Sequence, residues 1–245
     1  MQKKVGLVPS RLNSSRLPEK ALELIEGMPM FAHVYFRAKE SSLDDIYLLT
    51  DSRKIKEAAK IYNINTLMTS SNHRNGTERC YEGAKILGLK DDDVIVDIQG
   101  DEPLINPSDI SNILNFYLDN KHEIVVSTLE SEAFGNENTV KVELNENGQI
   151  LSFSREDLFS NSEKLIITKG LVAFNFRSIS KYVNTEETEL ERTVKHELQR
   201  CCENNISIYE FRINNNSRAV DVKDDLDFVK QAIKKDIYLQ RYINN

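Results

Sequence analysis

The chain has 245 residues, 40% hydrophobic and 29% charged, with 32 basic against 39 acidic side chains and a net charge of −7. This composition excludes wholesale disorder, and the acidic balance excludes a general nucleic-acid coat, which needs surplus Lys and Arg for phosphates. The charge is uneven: residues 1–80 carry 13 basic and 9 acidic side chains, a local +4 that leaves −11 on the remainder.

Lys4-Val5-Gly6-Leu7-Val8 is a short apolar run stopped by Pro9 and reads as a buried strand. A polar loop from Ser10 to Lys20 follows, dense in Ser and Arg. Gly27-Met28-Pro29-Met30 then opens a helix running to about Glu40, with Phe31, Val34, Tyr35 and Ala38 on one face. Ile46 to Thr50 is a second apolar strand, and Ser52 starts a helix through Tyr62. Asn65 to Met68 is a third strand candidate, and Thr77 to Leu87 a third helix with Thr77 as its cap. Asp93 to Ile98 is a fourth strand, Ser108 caps a helix to about Leu118, and Ile124 to Leu129 returns as a strand.

After residue 130 the alternation breaks. Thr139–Leu144 and Gln149–Ser154 flank Asn145-Glu146-Asn147-Gly148 as a hairpin. Leu171 to Phe176 is another strand, Glu186 to Glu203 a long charged helix with an exposed start, Ile206 to Arg212 a late strand, and Asp224 to about Tyr242 a closing helix. Strand–helix alternation with near-continuous apolar strands predicts an α/β fold: an open, mostly parallel sheet with helices on both faces and an antiparallel excursion. No repeat or linker divides the chain, so 1–245 is expected to be a single domain.

No apolar run approaches the roughly 20 residues that cross a bilayer, and the run behind Met1-Gln2-Lys3-Lys4 is too short for a signal peptide. Membrane insertion is not expected. Cys80, Cys201 and Cys202 form no CxxC pair, which fits a reducing, cytoplasmic setting, with Cys201 and Cys202 as ordinary helix residues. His33, His73, His122 and His196 lack metal-ligand spacing, which argues against a zinc enzyme.

Ligands of open parallel sheets bind outside the carboxyl ends of the strands. After the first strand stand Pro9, Ser10, Arg11, Ser14, Ser15, Arg16 and Lys20, a set suited to wrapping a polyphosphate or, in the plainer alternative, a solvated basic loop. Neither a P-loop nor a dinucleotide fingerprint is present. After the fourth strand comes Gln99-Gly100-Asp101-Glu102-Pro103, where Asp101 is a candidate Mg²⁺ ligand, or else a helix-capping or surface residue. Asp221 is a second candidate carboxylate, with helix capping as its competing role. In Gly76-Thr77-Glu78-Arg79, Arg79 lies in a first helical turn where an anion is favoured, and His73 and Arg74 precede it. A surface ion pair is the alternative for Arg79. The runs Asp91-Asp92-Asp93 and Glu186 to Glu191 read as solvated surface.

Together these segments resemble the 3-deoxy-manno-octulosonate cytidylyltransferases, which make CMP-Kdo. Val8 to Lys20 is similar to that family's PAR…S-x-R-L-P-x-K loop, Gly27 to Met30 to its G-x-P-M, Gly76 to Arg79 to its GTER and Gln99 to Pro103 to its QGDEP. Phe153-Ser154-Arg155 resembles FSR, and Val220-Asp221 with Asp224-Asp225-Leu226 loosely resembles VDTPEDL. The resemblance runs nearly end to end and is most specific in the first 105 residues.

The resemblance implies a nucleotide-diphospho-sugar transferase-like, Rossmann-like fold. It also implies magnesium-dependent transfer of CMP from CTP to the anomeric hydroxyl of a 2-keto-3-deoxy sugar acid, with release of pyrophosphate. By position, Arg11, Lys20 and Asp101 would be catalytic. Pro9, Ser10, Arg11, Ser14, Arg16, Lys20, His73 and Gly76 would bind the nucleotide, Asp101 and Asp221 the metal, and Arg79, Gln99, Phe174 and His196 the acid. A homodimer through residues 130–200 and a place in lipopolysaccharide or capsule synthesis are implied as well. Gly170 and Phe174 stand where the family carries His and Tyr in HLGIYGYR, and His196 where its LEQLR helix carries Gln. These changes remove polar contacts to sugar hydroxyls. They leave the acceptor open between Kdo, a modified ulosonic acid and another small carboxylate or phosphonate.

Overall fold

Leu7, Leu48, Ile95 and Val96 have no solvent exposure, as strands covered on both faces require. They belong to a sheet seen in a computed structural model that describes residues 2–14, 16–131, 139–156, 165–214 and 217–243. Ser15 of the basic loop, and positions 132–138 and 157–164 of the antiparallel excursion, lie outside the described residues.

The first half alternates as the sequence predicts. Strand β1 is Lys4–Pro9, and a small hairpin of β2 (Leu24–Ile25) and β3 (Met28–Pro29), not foreseen from the pattern, leads into helix α1 (Met30–Lys39). Then come β4 (Asp45–Thr50), α2 (Arg53–Ile61), β5 (Thr66–Met68), α3 (Gly76–Ile86), β6 (Val94–Ile98) and α4 (Pro107–Asn120). Ser52 caps α2 as expected, its Oγ accepting from Ile55 N at 3.3 Å. For α3 the cap is Asn75 rather than Thr77, and for α4 it is Asn106 rather than Ser108. In both places an Asx side chain just upstream reaches the first-turn amides before the hydroxyl can.

The second half holds β7 (Ile124–Ser131), the hairpin β8 (Lys141–Leu144) and β9 (Ile150–Ser154), and the long β10 (Leu165–Asn175). Helices α5 (Phe176–Val183), α6 (Glu189–Val194) and α7 (Gln199–Glu203) follow, then β11 (Ile208–Arg212), α8 (Lys223–Ala232) and α9 (Leu239–Tyr242). Strand order is β11-β7-β10-β6-β1-β4-β5. Only β10 runs antiparallel along this path, wedged between β6 and β7, while β8 pairs with it at Ile167↔Lys141. Helices α1, α2, α4 and α8 bury one face of the sheet, and α3, α5 and α7 the other.

Two helices expected from the sequence are interrupted. The charged stretch from Glu186 to Glu203 breaks at Lys195, whose φ of 55° is left-handed. Arg155 imposes that break: its Nε donates to Val194 O at 2.9 Å and its Nη2 to Lys195 O at 3.1 Å, occupying the carbonyls that would continue the helix. Nor is the start of this stretch all solvated, because Glu191 is buried and forms a two-pronged pair with the fully buried Arg200. The closing helix likewise ends at Ala232, passes through a 3₁₀ turn at Ile233–Lys235 and resumes as α9. Cys201 and Cys202 are free thiols, as their helical setting predicts.

Candidate active site

Strands β1 and β6 are neighbours in parallel register, Leu7 opposite Asp97, so their following turns emerge side by side. Gly100 lets those turns touch: a Cβ there would fall 2.3 Å from Ser10 Oγ and 2.7 Å from Pro9 O. The turns form one side of a cavity of about 340 Å³. Its lining is Pro9, Ser10, Arg11, Ser14, Arg16, Lys20, Ala21, His73, Arg74, Asn75, Gly76, Arg79, Gln99, Gly100, Asp101, Glu197 and Asp221. The cavity therefore gathers the basic loop, the start of α3, the turn after β6 and the segment before α8.

Its charge is arranged in two parts. On one side Lys20 Nζ lies 2.7 Å from Asp101 Oδ2, 3.2 Å from Asp221 Oδ1 and 2.9 Å from Val220 O. Arg16 Nη2 adds a 2.9 Å contact to Asp221 Oδ1. Burial pulls the Lys20 ammonium down, but Asp101 and then Asp221 outweigh it and hold the group above its usual value. Val220 N donates to Asp101 O at 2.8 Å, which fixes the two carboxylate segments to each other.

The other side is the beginning of α3. Asn75 Oδ1 accepts from Glu78 N at 2.9 Å, and its amide donates to Tyr182 Oη at 2.9 Å. Thr77 is instead buried, its Oγ1 donating to Glu197 Oε1 at 3.3 Å. Arg79 is 4% exposed and braces the wall, with Nη1 on Thr69 Oγ1 at 2.6 Å and Nη2 3.3 Å from Asp51. It is thus neither a surface ion pair nor a freely projecting arginine. His73 Nε2 is paired with Glu82. Beneath the floor lies Asp97, wholly buried, with neither carboxylate oxygen hydrogen-bonded among the described residues. Burial, and after it the charge of Glu197, pushes its carboxyl up to about 8.

Of the residues given site roles by the resemblance, all but Phe174 and His196 line the cavity. Phe174 is buried in the core opposite Ile95 and Ile124. Because β10 runs antiparallel to β6, Gly170 meets Gln99 at the cavity end while Phe174 lies ~13 Å farther down the strand. His196 is half-buried and stacks on the Phe153 ring, centroids 4.1 Å apart, and its neighbour Glu197 reaches the cavity in its place. The break at Lys195 is what turns this segment. Glu197, Asn75 and Ala21 were not found from the sequence. An Asx residue directly before Gly76 was the available signal for Asn75, and nothing in the local sequence marks the other two.

Two carboxylates held by one ammonium fit a magnesium ion, which takes one or two protein carboxylates and fills its remaining positions with water and substrate phosphate oxygens. Among the described residues no group of three or more His, Cys, Asp or Glu forms a closed protein cage. Ser10 Oγ, buried at the edge of the cavity, has no hydrogen-bond partner among the described residues and is available to a ligand. No helix of the described residues is long and apolar enough to cross a membrane.

Comparison with known proteins gives a consistent picture. A family model described as cytidylyltransferase matches residues 5–232. A 3-deoxy-manno-octulosonate cytidylyltransferase of Lawsonia intracellularis is 37% identical over 235 residues, covering 92% of each chain. One from Nitratidesulfovibrio vulgaris is 32% identical, covering 94% of this chain and 96% of its own. A solved CMP:2-keto-3-deoxy-manno-octonic acid synthetase complexed with CTP superposes with a TM-score of 0.88 at 27% identity, covering 96% of this chain and 99% of that one.

Proposed function

Because the chain belongs to the cytidylyltransferases, within the 3-deoxy-manno-octulosonate cytidylyltransferase family, and is a nucleotidyltransferase, we propose that it transfers CMP from CTP to a 2-keto-3-deoxy sugar acid. The acid is Kdo or a closely related ulosonic acid. Its anomeric hydroxyl forms a bond to the α-phosphorus while the α–β anhydride bond breaks in line, so pyrophosphate leaves and one proton is released to water.

The observation that carries this reading is the Asp101–Lys20–Asp221 cluster at the ends of β1 and β6, facing the start of α3 across the cavity. Arg11, Arg16 and Lys20 hold the triphosphate by charge-assisted hydrogen bonds, with Ser10 and Ser14 adding hydroxyl donors. Asp101 and Asp221 hold Mg²⁺. Bound there, the ion would neutralise charge on the α-phosphate and on the departing pyrophosphate. Arg79 and Gln99 face the acid's carboxylate, and Glu197 accepts from a sugar hydroxyl. Catalysis of this kind is positioning plus charge neutralisation, so a protein nucleophile is not required.

A second reading of the acceptor is favoured by one observation. Gly170 projects no side chain where the family carries His, and Phe174 and His196 do not line the cavity. Another small carboxylate or a phosphonate would suit a pocket with fewer polar contacts. Pyrophosphate release, measured with each of the four nucleotides and a panel of 2-keto-3-deoxy acids in Mg²⁺, tests both. Release with CTP and one ulosonic acid is expected. Release only with another nucleotide, or with none, would overturn the assignment. Sedimentation of the purified protein tests the homodimer that completes this reading.

A further inference from the structure

Asp221 lies in a stretch with neither helix nor strand, between β11 and α8. The cavity nevertheless requires its carboxylate within a few ångströms of Asp101, so something must hold that stretch in place. One tie is main-chain, the bond from Val220 N to Asp101 O. Lys20 Nζ adds a bond to Val220 O, and the Asp225 carboxylate accepts from the Asp221 and Val222 amides. A further tie, at the start of the stretch, runs through Glu102, the residue after Asp101, which contributes nothing to the cavity lining.

Glu102 is buried, and its Oε2 accepts a hydrogen bond from Ser217 Oγ. Lys169 Nζ donates to Ser217 O, and its positive charge favours the ionised Glu102 carboxylate against the burial that pushes its carboxyl up. Three separate parts of the chain therefore converge on Ser217: the turn after β6, the middle of β10 and the Asp221 stretch itself. Strand β10 is shaped for this, because its register against β7 slips between Thr168 and Val172, where Lys169 and Gly170 lie. Such irregularities re-aim a side chain. Gly170 is required too, since a Cβ there would stand 2.5 Å from Glu102 Oε1 and 3.0 Å from Gln99 Cβ. The missing side chain at 170 is the space into which the Glu102 carboxylate folds.

We propose that Glu102, clasping Ser217 with the help of Lys169 and the bare backbone at Gly170, is a positioning residue that sets Asp221 opposite Asp101. The proposal rests on reading Asp101 and Asp221 as the metal carboxylates, yet its first measurement does not depend on metal. In substrate-free protein, hydrogen exchange at the Val220 amide reports the clasp directly. Glu102→Ala is expected to speed that exchange about tenfold or more, the scale of one lost hydrogen bond to a charged group. It should also raise the half-saturating Mg²⁺ concentration for turnover by a similar factor, with less change in the KM for CTP at saturating Mg²⁺. Glu102→Gln, whose amide oxygen still accepts from Ser217, should restore most of the protection.

Gly170→Ala leaves every partner in place but crowds the carboxylate, and should reproduce part of the exchange effect. If Glu102→Ala does not fold, Ser217→Ala carries the same two measurements. Wild-type protection of Val220 in both Glu102→Ala and Ser217→Ala overturns the clasp, and so does faster exchange with an unaltered Mg²⁺ requirement. Metal-independent turnover of the wild-type protein would instead overturn the metal reading alone, and the Val220 exchange would then decide whether the clasp exists.

Discussion

Lys20 Nζ and Asp101 Oδ2 lie 2.7 Å apart, and the same ammonium touches Asp221 Oδ1 at 3.2 Å. One lysine therefore holds together two carboxylates that would otherwise repel each other, in the position where a divalent ion would do the same. On the proposed reading, a magnesium ion held by the two carboxylates would take the lysine's place between them and leave the ammonium to the incoming phosphates. Charge balance would be kept through that exchange, with the lysine serving first as internal counter-ion and then as phosphate ligand.

Lys20→Ala separates these two duties. Loss of the phosphate contact should lower kcat/KM for CTP by about 100-fold or more, from one charge-assisted interaction strengthened in the transition state. Removal of the competing ammonium should at the same time enlarge the thermal stabilisation given by Mg²⁺ alone. A thermal-shift titration with Mg²⁺, run beside a pyrophosphate-release assay, measures both. An unchanged Mg²⁺ response in the variant would refute the exchange of roles.

Asp101→Asn keeps the size of the side chain and removes its charge. Turnover should fall by about 100-fold or more, with secondary structure and melting temperature close to wild type, because Arg16 and Lys20 still neutralise Asp221. Near-normal turnover would remove Asp101 from the metal site.

Arg79 braces the cavity wall and, on the proposed reading, also meets the acid, so its variants should report both. Arg79→Ala should raise the KM for the acid. It should also cost about 2–3 kcal/mol of stability, since Thr69 and Asp51 lose a partner inside the wall. Arg79→Lys should recover much of the stability but less of the acid affinity, because an ammonium cannot reproduce the guanidinium fork. If only the KM for CTP moves, the arginine faces the nucleotide instead. Chemical denaturation and steady-state kinetics on the two variants separate these outcomes.

Asp97 makes stability depend on pH. Its folded-state value of about 8 lies above the ~3.9 of an unfolded carboxyl, so between those values the native chain keeps a proton that the unfolded chain has lost. The stabilisation is full below about pH 4 and is lost as pH rises toward 8. Asp97→Asn abolishes that loss, so its advantage over wild type should grow from pH 5 to pH 8 and reach ~2 kcal/mol or more. A constant difference in melting temperature across that range would show that Asp97 is not the group responsible.

The legible parts of this protein are those written locally. The apolar runs Val5–Val8, Ile46–Leu49 and Val94–Ile98 mark parallel strands, and the residues after the first and third of them line the cavity. What escaped depends on distant partners. No residue near Lys195 announces a helix end, because the arginine that caps it, Arg155, follows β9 and lies 39 positions from Val194 in sequence. Phe174 follows Gly170 closely in sequence, but an antiparallel strand carries it away from the cavity. Glu197 enters only through the break at Lys195. The caps were missed for a narrower reason: Asn75 and Asn106 precede hydroxyl residues that are equally good cappers in isolation.

The antiparallel course of β10 also bears on the order of folding. Strands β1, β4, β5 and β6 can pair as soon as the first hundred or so residues are available, since their neighbours are close in sequence. The carboxylate pair cannot form then, because Asp221 is 201 positions from Lys20 and its stretch is held by β10 as well as by the turn after β6. Long-range closures of this kind come late, after loop entropy has been overcome. A half-made chain thus exposes Asp101 with no opposing carboxylate, and on the proposed reading it could not yet grip a metal–nucleotide complex. Competence for chemistry arrives in one step, with the last part of the sheet to be built.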